Sequence, residues 1–119
     1  GYPNEFKQSI LNILNNAKDS ILKKRTHGDF DALIRIEVYK KENIFISIYD
    51  NGGGIDPSLL SSIFDPFFTS KEDGDGFGLY MAKLIIEEKM SGSIKAIPCA
   101  EGAHILIELI PSNIRRTTL

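Results

Sequence analysis

The sequence is short of cysteine, of net charge and of long apolar runs, and each shortage removes a class of protein. A single cysteine, Cys99, rules out an internal disulfide and suits a reducing compartment. The formal net charge is −2, with 14 basic against 16 acidic residues, so the basic excess of a nucleic-acid binder is missing. No apolar run approaches the roughly 20 residues that span a bilayer. No signal peptide is visible either, so any membrane connection is expected outside these residues. Internal repeats and low-complexity segments are absent. What is present is ordinary apolar and polar patterning over 119 positions, enough for one domain with one core.

The most informative stretch is Ile48-Tyr-Asp-Asn-Gly-Gly-Gly-Ile55. The run before it alternates, with Ile44, Ile46 and Ile48 on one face and Phe45, Ser47 and Tyr49 on the other, which reads as a half-buried strand. Asp50 keeps the isoleucine phase, so its carboxylate is expected to point inward, where it needs a donor. Three glycines then free the backbone to turn tightly or to approach a ligand. Taken alone, the octet reads equally well as a strand ending in an Asp-Asn-Gly turn.

Residues 3 to 24 predict an amphipathic helix, with Phe6, Ile10, Ile13, Leu14, Ala17 and Ile21 on one face and Pro3 in the first turn. Glu5, Asn12, Asn16 and Asp19 fall roughly opposite, and a polar stripe of this kind is usually solvated surface. The pair Asn12 and Asn16 nonetheless sits four residues apart, so the two amides can act together. A basic loop follows, then strands from Leu33 to Tyr39 and Ile44 to Tyr49 around Lys41-Glu42-Asn43. Asp56-Pro57 predicts the cap and first position of a short helix to about Ile63. Lys71 to Gly78 is rich in glycine and charge and predicts a mobile loop. Helical periodicity returns from Leu79 to Met90, with Gly92 as its stop. Strands from Ser93 to Ile97 and Ala103 to Ile110 close the domain, and Pro111 onward is a polar tail expected to fray. This order predicts an α+β fold, a two-layer α/β sandwich with helices on one face of a mixed sheet.

Gly74-Asp-Gly76-Phe-Gly78 runs into the second helix. Glycines before a helix N-terminus expose amides that suit phosphate, although without a preceding strand or a Walker lysine a plain surface loop fits as well.

At this point four ordered motifs resemble those of the ATP-binding catalytic domain of bacterial sensor histidine kinases, a branch of the Bergerat-fold (GHKL) ATPases. Leu11-Asn12-Ile-Leu-Asn15-Asn16-Ala17 is similar to the N box and Asp50-Asn-Gly52-Gly-Gly54-Ile55 to the first glycine box. Phe64-Asp-Pro-Phe67-Phe68 resembles the F box, Gly74-Asp-Gly76-Phe-Gly78-Leu79 the second glycine box, and Gly102 to Leu109 the closing strand. The motifs cover nearly the whole chain.

The resemblance implies ATP and Mg²⁺ as cofactors, with Asp50 accepting the adenine amine. It implies that Gly52 and Gly54 leave room for the base, that Ile55, Ile63, Leu79 and Ile107 wall the pocket, and that Asn16 ligates Mg²⁺ with help from Asn12. The amides of Gly74, Gly76 and Gly78 would hold phosphates under a lid from Phe67 to Asp75, with Lys71 on the phosphate. Asn12 stands where hydrolytic relatives carry a water-activating glutamate, which favours phosphoryl transfer over hydrolysis. His27 and His104 read as solvated or structural, so the acceptor histidine is expected on a separate dimerisation domain. The resemblance implies a fragment of a homodimeric kinase, cytoplasmic in a parent that can be membrane-anchored, which passes the phosphoryl group to a response regulator. Glu72, Asp73 and Asp75 depart from the pattern by placing negative charge near the triphosphate. They keep open a degenerate nucleotide-sensing docking module, beside a hydrolytic ATPase of the same fold.

Overall fold

The computed structural model describes residues 2–66, 78–99 and 101–111. Helix α1 (Tyr2–Arg25) leads into strands β1 (Ile34–Lys40) and β2 (Ile44–Asp50), then a single 3-10 turn (Pro57–Leu59). Helix α2 (Gly78–Leu84) passes directly into a π-helical turn (Ile85–Lys89), and strands β3 (Ser93–Ile97) and β4 (Ala103–Leu109) follow. Glu5 in the first turn of α1 and Lys23, Lys24 and Arg25 in its last turn complement the helix dipole.

The four strands form one sheet in the order β1-β2-β4-β3, with helices packed on one face. The α+β, two-layer expectation is met, but the expected mixed sheet is corrected: every neighbouring pair of described strands is antiparallel. The reason is topological. β2 and β3 run the same way across the helical connection, and β4 folds back between them, so the two never share a ladder.

Alternation sets the core. Ile46 and Ile48 from β2, Ile94 from β3, and Ile105, Ile107 and Leu109 from β4 face the helices, which contribute Ile13, Leu79, Ala82, Ile85 and Ile86. Burying each large aliphatic side chain stabilises the fold by about 1.5–3 kcal/mol. On α1 the apolar face is Ile13, Ala17 and Ile21, all buried, flanked by half-buried Phe6, Ile10 and Leu14. Asn12 and Asn16 are half-buried at the margin of that face rather than opposite it. Ser9 is fully buried on α1, and its hydroxyl donates to the Glu5 carbonyl at 3.1 Å.

Two local features depart from expectation. The segment after Asp56 is held by bonds from Leu59, Ser62 and Asp65 amides to carbonyls three residues back, so it is a series of tight turns rather than an α-helix to Ile63. The second helix ends through a π turn, where the Met90 amide donates to Ile85 O at 3.2 Å and that of Gly92 to Ile86 O at 2.9 Å. Its left-handed residue is Ser91, with φ of 55°, rather than Gly92. Gly92 is needed for a different reason, since a Cβ there would press on the Glu108 carbonyl and come within 3.0 Å of Leu109 Cδ2.

Candidate functional site

Asp50 ends β2 on the inward phase and is only 4% exposed. Its Oδ1 accepts the Gly52 amide at 2.9 Å. Burial raises the carboxyl above the ordinary carboxylate range, and the amides of Gly52 and Ala103 pull it part of the way back. A carboxylate offers about four acceptor positions. Two nearby amides therefore leave capacity for a further donor.

The turn that follows is clamped from three sides. Asn51 accepts the Leu33 amide on Oδ1 at 2.8 Å and donates from Nδ2 to Asp31 O at 2.7 Å, which fixes the entry to β1. Lys24, near the end of α1, donates to Asn51 O at 3.1 Å. Gly52 lies so close to α1 that a Cβ would come within 2.8 Å of the Ile21 amide and 2.9 Å of Ser20. The space that Gly52 is expected to leave for a base is thus filled by helix backbone, and its smallness serves to seat the turn on α1. Gly53 and Gly54 adopt φ of +107° and +80°, which side chains rarely tolerate. A Cβ on Gly54 would lie 3.2 Å from Gly102 O, and one on Gly102 would strike the Asp50 carbonyl.

Beside this turn is a cleft of about 460 Å³, bounded by Gly53 to Pro57, Leu60, and Pro98 with Cys99 from the β3–β4 connection. Of the residues expected to surround a base, Gly54 and Ile55 line it, whereas Asp50 does not. Asp56 borders it as a cap, accepting the Ser58 amide and hydroxyl at 2.9 Å each, and these bonds hold its carboxyl below the usual range.

On the other side of Asp50 the helices meet. A Cβ on Gly78, the first residue of α2, would lie 4.0 Å from Asn12 Cβ, so the start of α2 stands against the asparagine stripe. The Asn12 Oδ1 accepts from Gln8 Nε2 at 2.9 Å, one turn earlier. Gly52 at Ser20 and Gly78 at Asn12 are eight helical positions apart along α1, or roughly 12 Å, with Asn16 midway. Gly52 and Gly78 thus stand against α1 on either side of Asn16, and Asp50 is tied to this stretch through the Gly52 amide.

Ile63 and Leu79 are buried in the adjoining core. Ile107 is a correction: it pairs with Ile46 and Ile94, four positions along β4 from the Ala103 that faces Asp50, and is fully buried. Ala103 and Ile105 occupy the β4 positions nearest Asp50. Lys71, Gly74 and Gly76, with Phe67, Phe68 and the expected lid, lie outside the described residues. Sequence patterning does not single out Gly102, Pro98 or Cys99 as site residues. Only the glycine itself, at the end of the five-residue connection from Pro98 to Gly102, carries a signal.

A helical layer thus covers this sheet, with an inward acid and a glycine turn seated on the first helix. Residues 1–113 match the family of histidine kinase-, DNA gyrase B- and HSP90-like ATPases, and the chain belongs to it. The two-component sensor PprA of Pseudomonas aeruginosa is 37% identical over 113 residues, covering 92% of this chain and 12% of that protein. The signal transduction histidine-protein kinase AtoS of Escherichia coli is 46% identical over 83 residues, covering 68% of this chain and 12% of its own length. The chain thus spans about an eighth of these relatives. Among solved structures, the catalytic domain of histidine kinase ThkA superposes with a TM-score of 0.75 at 27% identity, over 92% of this chain and 70% of that one. The fold is that of histidine kinase catalytic domains.

Proposed function

We propose that this domain binds Mg-ATP and presents the γ-phosphoryl group to a histidine on a separate dimerisation domain, from which it passes to a response regulator. The observation that carries the reading is Asp50, a buried carboxylate held by backbone amides at the end of a strand and facing the helical layer. A carboxylate there accepts from the exocyclic amine of adenine, whereas guanine would set a carbonyl against it and leave two acceptors facing each other.

Along α1, Asn16 and Asn12 offer amide oxygens, hard ligands that suit Mg²⁺. Bound there, Mg²⁺ would neutralise phosphate charge. The chain's own residues bind and orient: Asp50 selects the base, Asn12 and Asn16 flank the phosphates, and Gly78 at the start of α2 leaves room beside Asn12. Lys71, Gly74 and Gly76 would complete the phosphate contacts. Asn12 is no general base at neutral pH, so water beside the phosphate is not activated there and the group is kept for its acceptor.

The test is a calorimetric titration with ATP and with GTP, with and without Mg²⁺, on wild type and Asp50→Asn. Mg-dependent binding of ATP alone, lost in the variant, is expected; equal binding of GTP by the folded chain would overturn the assignment of Asp50. Incubation with γ-labelled ATP and a purified dimerisation domain should give acid-labile label on the acceptor histidine. Steady release of phosphate without acceptor would favour hydrolysis.

A further inference from the structure

The peptide unit between Asn51 and Gly52 is held at both ends. Its carbonyl oxygen accepts from Lys24 Nζ at 3.1 Å, and its N–H donates to Asp50 Oδ1 at 2.9 Å. No peptide bond among the described residues is cis, so the C=O and N–H of this planar unit point in opposite directions. A group that fixes the oxygen therefore also fixes where the hydrogen aims. Here the oxygen is met by a cation and the hydrogen by the buried acid.

Lys24 reaches the carbonyl from the last turn of α1 and is itself restrained. Its ammonium lies 4.3 Å from the centroid of the Phe30 ring, in the connection to β1, and that attraction holds the long side chain in place. Lys24 and Phe30 are both half-buried, so the bond to Asn51 O is partly shielded from water. Asn51 is pinned separately, because its amide and both side-chain polar atoms bond to Leu33 and Asp31. What is left to turn is the peptide plane that follows. The residue on its far side is a glycine, whose backbone resists such rotation least. A rotated plane would take the N–H off Asp50 and leave the buried carboxylate with one donor fewer.

We infer that Lys24 is a positioning residue for Asp50, acting through the Asn51–Gly52 peptide to keep the acid's remaining acceptor positions turned toward an adenine amine. The inference rests on the reading of Asp50 as the group that selects the base. The lysine charge adds to the effect, since a carbonyl bonded to a cation polarises its own peptide and strengthens the bond that the N–H gives. A side chain about two helical turns beyond Asn16 thereby acts on base selection through a single peptide unit.

The experiment compares Lys24→Met and Lys24→Arg with wild type by amide NMR and by calorimetric titration with ATP. Methionine keeps an apolar stem beside Phe30 and loses the donor, whereas arginine keeps both a donor and the ring contact. In Lys24→Met the Gly52 amide proton should move upfield and exchange about tenfold faster, while the amides of β4 keep their protection. The same variant should bind ATP about fivefold more weakly or worse, and Lys24→Arg should restore both readings. A merely structural role would speed exchange across the whole core and leave ATP affinity of the folded chain unchanged. A Gly52 amide indifferent to Lys24→Met, or ATP binding unchanged in that variant, would overturn the role of Lys24 alone. Absence of ATP binding by folded wild type would overturn the reading of Asp50, and the role of Lys24 in base selection with it.

Discussion

Gly102 lies against the carbonyl oxygen of Asp50, so close that no side chain fits between them. The β3–β4 connection therefore crosses the end of β2 where the buried carboxylate emerges, and Gly54 abuts the same connection from the cleft side. One glycine thus sets both the closure of the sheet and the position of the buried acid. Gly102→Ala must push the connection off β2. The expected cost is about 1–3 kcal/mol, as for other overpacked sites. Urea unfolding would report it, and nucleotide affinity should fall with it; an alanine variant as stable as wild type would show that the connection moves freely.

Asp50 should leave a signature in the pH dependence of stability. Its folded carboxyl lies above the ordinary value of 3.8, so between that value and the raised one the folded chain holds a proton that the unfolded chain has released. Stability contributed by this group is greatest at low pH, declines as pH rises through that window, and is level above it. Asp56 is shifted the other way and is unchanged by substitution at position 50. The difference between wild type and Asp50→Asn isolates the Asp50 share. Urea midpoints from pH 3.5 to 8 should show the variant gaining on wild type as pH rises; a constant difference would mean that burial does not perturb the acid.

Much of the fold and part of the site are legible in the sequence, because local chemistry dictates them. Period-2 alternation turns Asp50 inward, and the Asp56-Pro57 pair announces a capped turn, since both depend on neighbours a few residues away. The all-antiparallel sheet is not legible, because it depends on β4 returning between β2 and β3, a choice made by packing across the whole chain. Gly52 and Gly102 look like interchangeable turn glycines in sequence. Only the assembled fold shows that one is pressed on α1 and the other on Asp50. Ile107 has the inward phase that a pocket wall needs, but phase fixes a face and not a distance along the strand.

Gly78 separates a structural from a ligand-binding role. Among the described residues a Cβ there meets only Asn12 Cβ at 4.0 Å, an ordinary contact, and the residue does not have positive φ. Gly78→Ala should therefore leave the fold intact and stabilise it by about 0.5 kcal/mol through lost unfolded-state entropy. If ligand phosphate occupies the space beside Asn12, the same variant should bind Mg-ATP about tenfold more weakly or worse, a loss of about 1.4 kcal/mol. Thermal melts and titration calorimetry on one sample decide between the roles, since a variant that melts higher and binds unchanged would exclude close approach of the ligand at this residue.

The end of the second helix gives a test in which the obvious glycine is the wrong one. Ser91 carries the left-handed conformation at φ of 55°, at a cost of about 1–2 kcal/mol for a residue with a Cβ, whereas Gly92 is confined by the Glu108 carbonyl and Leu109. Glycine at 91 removes that strain but gains flexibility when unfolded, so Ser91→Gly should stabilise by about 0.5 kcal/mol. Gly92→Ala should instead destabilise by about 1–3 kcal/mol, because the added methyl has no room against β4. The two substitutions thus act in opposite directions at adjacent positions. Changes in denaturant midpoint of the reverse signs would mean that the left-handed stop of the helix lies at Gly92 rather than at Ser91.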